Sequence, residues 1–164
     1  MDYGMISQIE KARLYAEEPN RVTFQELNAT FKGDHDTYHI TLNSSGWHCT
    51  CPGFQSHGIC PHIMSMERVL KPMLKVAPLP YAPGQNVVSD VEKASRYATE
   101  KDRLQFTSFK VTLRGNNSDH TVTYDNGTWD CDSNSFRLRG VSSHTMAMER
   151  LLKGMLPEKQ QVGS

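Results

Sequence analysis

Trp47-His48-Cys49-Thr50-Cys51-Pro52-Gly53-Phe54, then Gln55-Ser56-His57-Gly58-Ile59-Cys60-Pro61-His62, then Ile63-Met64-Ser65-Met66-Glu67-Arg68-Val69-Leu70 form one continuous stretch. Three of the chain's four cysteines fall inside it. The spacing is Cys49-x-Cys51, a loop of eight residues, then Cys60-x-His62. Alternation along a strand sends Cys49 and Cys51 to the same face, about 7 Å apart along the chain. Gly53 and Gly58 allow the loop to bend back tightly, so that Cys60 falls just before a helix and His62 in its first turn. Three thiolates and one imidazole suit tetrahedral zinc. Four protein ligands leave no position for water, so the spacing predicts one structural zinc ion and no catalytic metal. The alternatives are an iron or redox centre, or ordinary buried cysteines beside a surface histidine.

Outward from this stretch the sequence repeats itself. Shifted by 82 residues, positions 7–74 fall on 89–156 without a gap, and 25 of the 68 pairs are identical. Ser7-Gln8-Ile9-Glu10-Lys11-Ala12 meets Ser89-Asp90-Val91-Glu92-Lys93-Ala94. Trp47 meets Trp129, Cys49 meets Cys131, and His62 meets His144. A register kept over that length is the mark of a tandem duplication. The chain accordingly divides into a repeat at 1–75, an extended linker at 76–88 carrying three prolines, a repeat at 89–156, and a polar tail at 157–164.

Reading both copies together assigns the elements. Ile9, Ala12, Tyr15 and Ala16, matched by Val91, Ala94, Tyr97 and Ala98, are spaced for an amphipathic helix over 8–18 and its counterpart. Leu27, Ala29 and Phe31 alternate as a strand, as do Phe109, Val111 and Leu113. Phe24 and Phe106 fall out of that phase, which a bulge or a bend near Gln25 would explain. Tyr38, Ile40 and Leu42 lie on one face of a second strand, and Asn43-Ser44-Ser45-Gly46 turns into a third that begins at Trp47. Met66, Val69, Leu70 and Met73 stripe a final helix from Pro61 to about Leu74, which Pro72 should kink or end. The expected fold class is α+β: two tandem repeats, each a helix, a three-stranded antiparallel sheet, a zinc loop and a helix, packed side by side about a pseudo-twofold.

Cys-x-Cys, a variable loop and Cys-x-His, with a tryptophan before the first cysteine and Met66-Glu67-Arg68 after the histidine, resemble the SWIM zinc finger family. The resemblance is specific over residues 47–70. It implies binding of DNA or protein, with no enzymatic activity in the finger itself. The second copy departs from the pattern. Cys131 and His144 remain, but Ser133 and Ser142 stand where cysteines are needed, and neutral hydroxyls are poor zinc ligands. One zinc ion per chain is therefore expected. Trp129, Phe136 and Leu151 are expected to hold the second copy by packing.

Charge weighs against a strong nucleic-acid partner: 18 basic residues balance 18 acidic ones, and phosphate binding depends on excess positive charge. A local basic face remains available, with Lys110, Arg114, Arg137 and Arg139 as the candidate contacts and Trp129 and Phe136 as stacking surface. Asp130 and Asp132 lie close enough to weaken it. The favoured reading is a protein-interaction or adaptor module, with DNA or RNA binding as the alternative. Histidines and acids are scattered without a catalytic cluster, so neither an enzyme nor a small-molecule substrate is expected. No apolar run approaches the roughly 20 residues that span a bilayer, and Met1-Asp2-Tyr3-Gly4-Met5 begins no secretory signal. A soluble, cytoplasmic protein follows, in which clustered thiols serve metal rather than disulfides.

Overall fold

A computed structural model describes residues 3–75 and 85–157 of the chain. The first half runs α1 (Tyr3–Glu17), β1 (Val22–Lys32), β2 (Thr37–Asn43), β3 (Gly46–Cys49), α2 (Pro52–His57) and α3 (Pro61–Val69). The second half runs α4 (Gln85–Thr99), β4 (Leu104–Arg114), β5 (Asp119–Asp125), β6 (Thr128–Cys131), α5 (Asn134–Arg139) and α6 (Ser143–Leu151). Short 3-10 turns follow α1, α3 and α4. The class is α+β, as expected.

The expectation of two separate three-stranded sheets is corrected. The six strands form one antiparallel sheet in the order β3-β2-β1-β4-β5-β6. The two halves meet side by side along β1 and β4, where Leu27 faces Phe109 and Val22 faces Leu113. Lone three-stranded sheets would each leave the longest strand, β1 or β4, with an open edge; pairing β1 with β4 closes both edges at once. The register slips between Phe24 and Glu26, at the bulge expected near Gln25, and again between Asn28 and Ala29. Each slip lets strand residues on both sides of it face the core.

One face of the sheet is buried. Phe24, Leu27, Ala29 and Phe31 of β1 join Phe106, Phe109, Val111 and Leu113 of β4 in a continuous core. The other face is polar, with Gln25, Asn28 and Lys110 exposed and Thr30, Thr41, Thr112, Thr121 and Thr123 half-buried. The helices cover the buried face in an exchanged arrangement: α1 packs on α6, and α4 packs on α3. Ala12 and Tyr15 face inward from α1, whereas Ile9, expected on the apolar face, is 41% exposed.

Other expectations shift at element ends. α1 begins five residues earlier than the expected position 8. α3 stops at Val69 and Pro72 falls in the following 3-10 turn; α6 ends at the matching Leu151 with Gly154 in place of the proline, so the proline is not what ends the helix. α4 starts at Gln85, so the last four residues of the expected linker at 76–88 are helical. The rest of that linker, and the tail after Pro157, lie outside the described residues.

Phe106 is fully buried and stacks on Phe24 with centroids 5.7 Å apart. Phe106→Ala should cost about 3–5 kcal/mol through the cavity it leaves. Because β1 and β4 share one sheet, the loss should appear as a single transition in urea. Tryptophan fluorescence, with Trp47 and Trp129 reporting on opposite ends of the sheet, and far-UV circular dichroism should trace the same curve. Two separated transitions would contradict the fused core.

Candidate metal centre

Cys49 ends β3, opposite Ile40 of β2. Cys51 stands at the N-cap of α2 and Cys60 at the N-cap of α3, with His62 the second residue of that helix. The loop between them, expected to be irregular, is partly helical. Two cysteines at helix starts are a consequence of chain direction: Pro52 and Pro61 pre-set the first helical turn and have no N–H to leave unpaired. The sulfur of Cys51 accepts from the Phe54 N–H and that of Cys60 from the Ile63 N–H, each at 3.4 Å. Helix starts place partial positive charge beside both sulfurs, which favours thiolate.

The four candidate donor atoms all lie within 4.8 Å of one another. Cys49 Sγ and His62 Nδ1 are 3.8 Å apart. A tetrahedron with zinc–sulfur bonds near 2.3 Å has donor–donor edges of about 3.8 Å, so the cluster needs only slight contraction to close on one ion. The donor chemistry fits as well, since soft thiolates with one imidazole suit zinc. All four residues are buried. Cys49, Cys51, Cys60 and His62 are thus positioned to bind one zinc ion. Cys49 is the most acidic of the thiols: a hydrogen bond from Cys60, and then one from His62, hold it well below the ordinary thiol range. The same Cys49–Cys60 bond, with burial, pushes Cys60 up, and burial raises Cys51.

The matching place in the second half has similar geometry and different donors. Cys131 Sγ and His144 Nδ1 are again 3.8 Å apart. Ser133 accepts from the Phe136 N–H at 3.2 Å, and Ser142 from the Thr145 N–H at 3.1 Å. The serines cap their helices as Cys51 and Cys60 do, a position for which serine is among the best residues, and neutral hydroxyls are poor zinc ligands. This is how the loop keeps its shape. Asp132 bonds to His120 at 2.9 Å, and the His120 ring lies 4.2 Å from His144. Burial, with the charge of His120, lowers His144 to about 4, so it stands neutral at neutral pH. Among the described residues no second group of ligand-type side chains converges as the first does.

The candidate nucleic-acid residues come from two separate elements. Lys110 and Arg114 lie on the central strand β4, and Lys110 faces Glu26 across the β1–β4 pair. Arg137 and Arg139 lie on α5, which follows the edge strand β6. Two strand spacings, about 10 Å, separate β4 from that edge. Sequence reasoning passed over Tyr38 and Tyr97, whose rings touch His62. The 82-residue offset marked Tyr97 only as a helix residue.

Residues 38–71 match the SWIM zinc finger family, covering all four ligands. No curated protein and no solved structure matches the chain. Among the described residues no helix is long and apolar enough to cross a membrane.

Proposed function

We propose that the chain is a non-catalytic protein-interaction module in which zinc is structural and a surface around Trp129 receives a peptide segment of the partner. The SWIM match and the closed, buried ligand set support a structural metal. The observation that carries the partner surface is the contrast between the two tryptophans at matching positions. Trp47 is 5% exposed, whereas Trp129 is only partly buried. Trp129 borders a cavity of about 330 Å³ together with Tyr124, Glu149, Lys153 and Leu156. A partly buried tryptophan beside a tyrosine and a leucine, with charged residues next to them, is a composition common at interaction hot spots. It sits on β6, an edge strand whose outer hydrogen-bonding side can accept an added strand.

The same reading takes the two halves for copies of one unit, the first keeping the metal and the second free to vary its surface. The 82-residue offset and the matching order of elements support it. Nucleic-acid binding is the weaker reading, because the chain has zero net charge and Lys110, one of its candidate contacts, faces Glu26.

Selection of a random peptide library on zinc-loaded protein tests the proposal. Enriched peptides should carry an apolar anchor, shift backbone resonances of β6, and lose binding to Trp129→Ala while that variant keeps its zinc. Peptides that bind Trp129→Ala equally well would reject the surface. Micromolar binding of DNA or RNA that persists at physiological salt would reject the protein-partner reading.

A further inference from the structure

The exchange of helices carries a side chain from the second half onto a zinc ligand of the first. Tyr97 of α4 is 3% exposed and stacks on the His62 imidazole, with centroids 5.9 Å apart and planes 13° from parallel. Two rings of the first half also touch His62. Phe31 meets it edge-on at 5.1 Å and Tyr38 at a tilt at 4.7 Å. Of the three, Tyr97 is the one lying nearly parallel. A parallel ring opposes rotation of the imidazole about its Cβ–Cγ bond, since turning drives one edge into the neighbouring face. That rotation is the one that would carry Nδ1 away from the three sulfurs.

Tyr97 is itself held in place. The guanidinium groups of Arg96 and Arg103 each lie 4.9 Å from its ring centre. Both arginines also grip Asp34, at 2.6 and 3.4 Å. Asp34 follows Gly33 in the β1–β2 turn. A Cβ on Gly33 would come within 3.1 Å of Tyr38 and 3.4 Å of His62 Nε2. Turn, tyrosine and ligand are therefore packed as one unit. α4 reaches the rest of the site too: Ala94 packs against Ile59 and Met64, the residues beside Cys60 and His62.

We propose that Tyr97 is the positioning residue of the zinc centre, so that the second half of the chain sets how tightly the first half keeps its metal. Outer partners that orient a ligand commonly govern metal affinity in this way.

The simpler explanation is that Tyr97 only fills the core, and the molecule contains its own control. Tyr15 of α1, also 3% exposed, stacks on His144 at 5.8 Å and 19°, with Arg21 at 5.0 Å from its ring. The ring stacking is similar, but Ser133 and Ser142 stand there at the positions that match Cys51 and Cys60. Loss of either ring should cost the fold equally, whereas only Tyr97 should matter to zinc.

The experiment loads the full chain with zinc and measures affinity and release rate by competition with a chromogenic chelator, alongside the urea midpoint. Tyr97→Leu is expected to weaken zinc binding about tenfold to a hundredfold. Tyr97→Phe, which keeps the ring, should recover most of that loss. Tyr15→Leu should lower the urea midpoint as much as Tyr97→Leu while leaving zinc affinity at the wild-type value. Wild-type affinity in Tyr97→Leu, or equal weakening in Tyr15→Leu, overturns the proposal. Should Tyr97→Leu fail to fold, Arg103→Ala decides, because it loosens the grip on Tyr97 without opening the core. Faster zinc release then supports the proposal, and an unchanged rate overturns it.

Discussion

Replacing Cys60 by serine is expected to reduce the zinc content of the purified chain from one ion to a small fraction of one, and to leave it largely unfolded at 37 °C. Cys60 is fully buried and is one of the four converging donors. Serine is the informative substitution because it can still cap α3, as Ser142 caps α6 in the second half. Whatever stability disappears is then owed to the metal and not to the cap. Structural zinc sites contribute on the order of 10 kcal/mol of folding free energy, comparable with the whole net stability of a domain of this size. The loss should not stay local, since β1 and β4 belong to one sheet. Elemental analysis by mass spectrometry and a thermal melt followed by circular dichroism check the expectation. A Cys60→Ser chain that retains a full ion, or melts where the wild type does, would show that the four residues are not the ligand set.

The converse change should add a metal. Ser133→Cys combined with Ser142→Cys is expected to raise the zinc content to about two ions per chain, since the missing donors are thiolates and those positions already have the right backbone. The separation of Cys131 Sγ from His144 Nδ1, 3.8 Å, equals that of Cys49 Sγ from His62 Nδ1. Both serines already occupy N-cap positions equivalent to those of Cys51 and Cys60. Cysteine at those positions is shown by the first half to accept the same backbone N–H, at 3.4 Å. The neutral state of His144 favours it as a ligand at neutral pH. The measurement is titration with zinc against a competing chelator, with the single substitutions as references. Stoichiometry that remains at one under saturating zinc would mean that His120 and Asp132 hold the second site in a shape the metal cannot use.

The ligand set was legible because it depends on short-range spacing: a strand end, a loop and a helix start bring four donors together without help from the rest of the chain. The bulge at Gln25 was legible for a similar reason, since Phe24 breaks an alternation that Leu27, Ala29 and Phe31 establish. The helix within the metal loop was not. It is six residues long, includes Gly53, and is capped by a cysteine, so neither length nor capping chemistry announces it. Ile9 misled for a different reason. Its spacing matches the buried stripe of α1, but which part of a helix is covered depends on the surface it meets, here α6.

What the amino-acid sequence determined by itself was the local chemistry: one complete donor set, one incomplete set, and the two buried faces that each half must hide. The tertiary structure alone decided who hides them. Alternation along β1 and β4 specifies a face but not a neighbour, and the stripes of α1 and α4 specify burial but not a partner. Only with the strands joined edge to edge does the β4 half stand close enough for α4 to cross onto α3 and lay Tyr97 against His62.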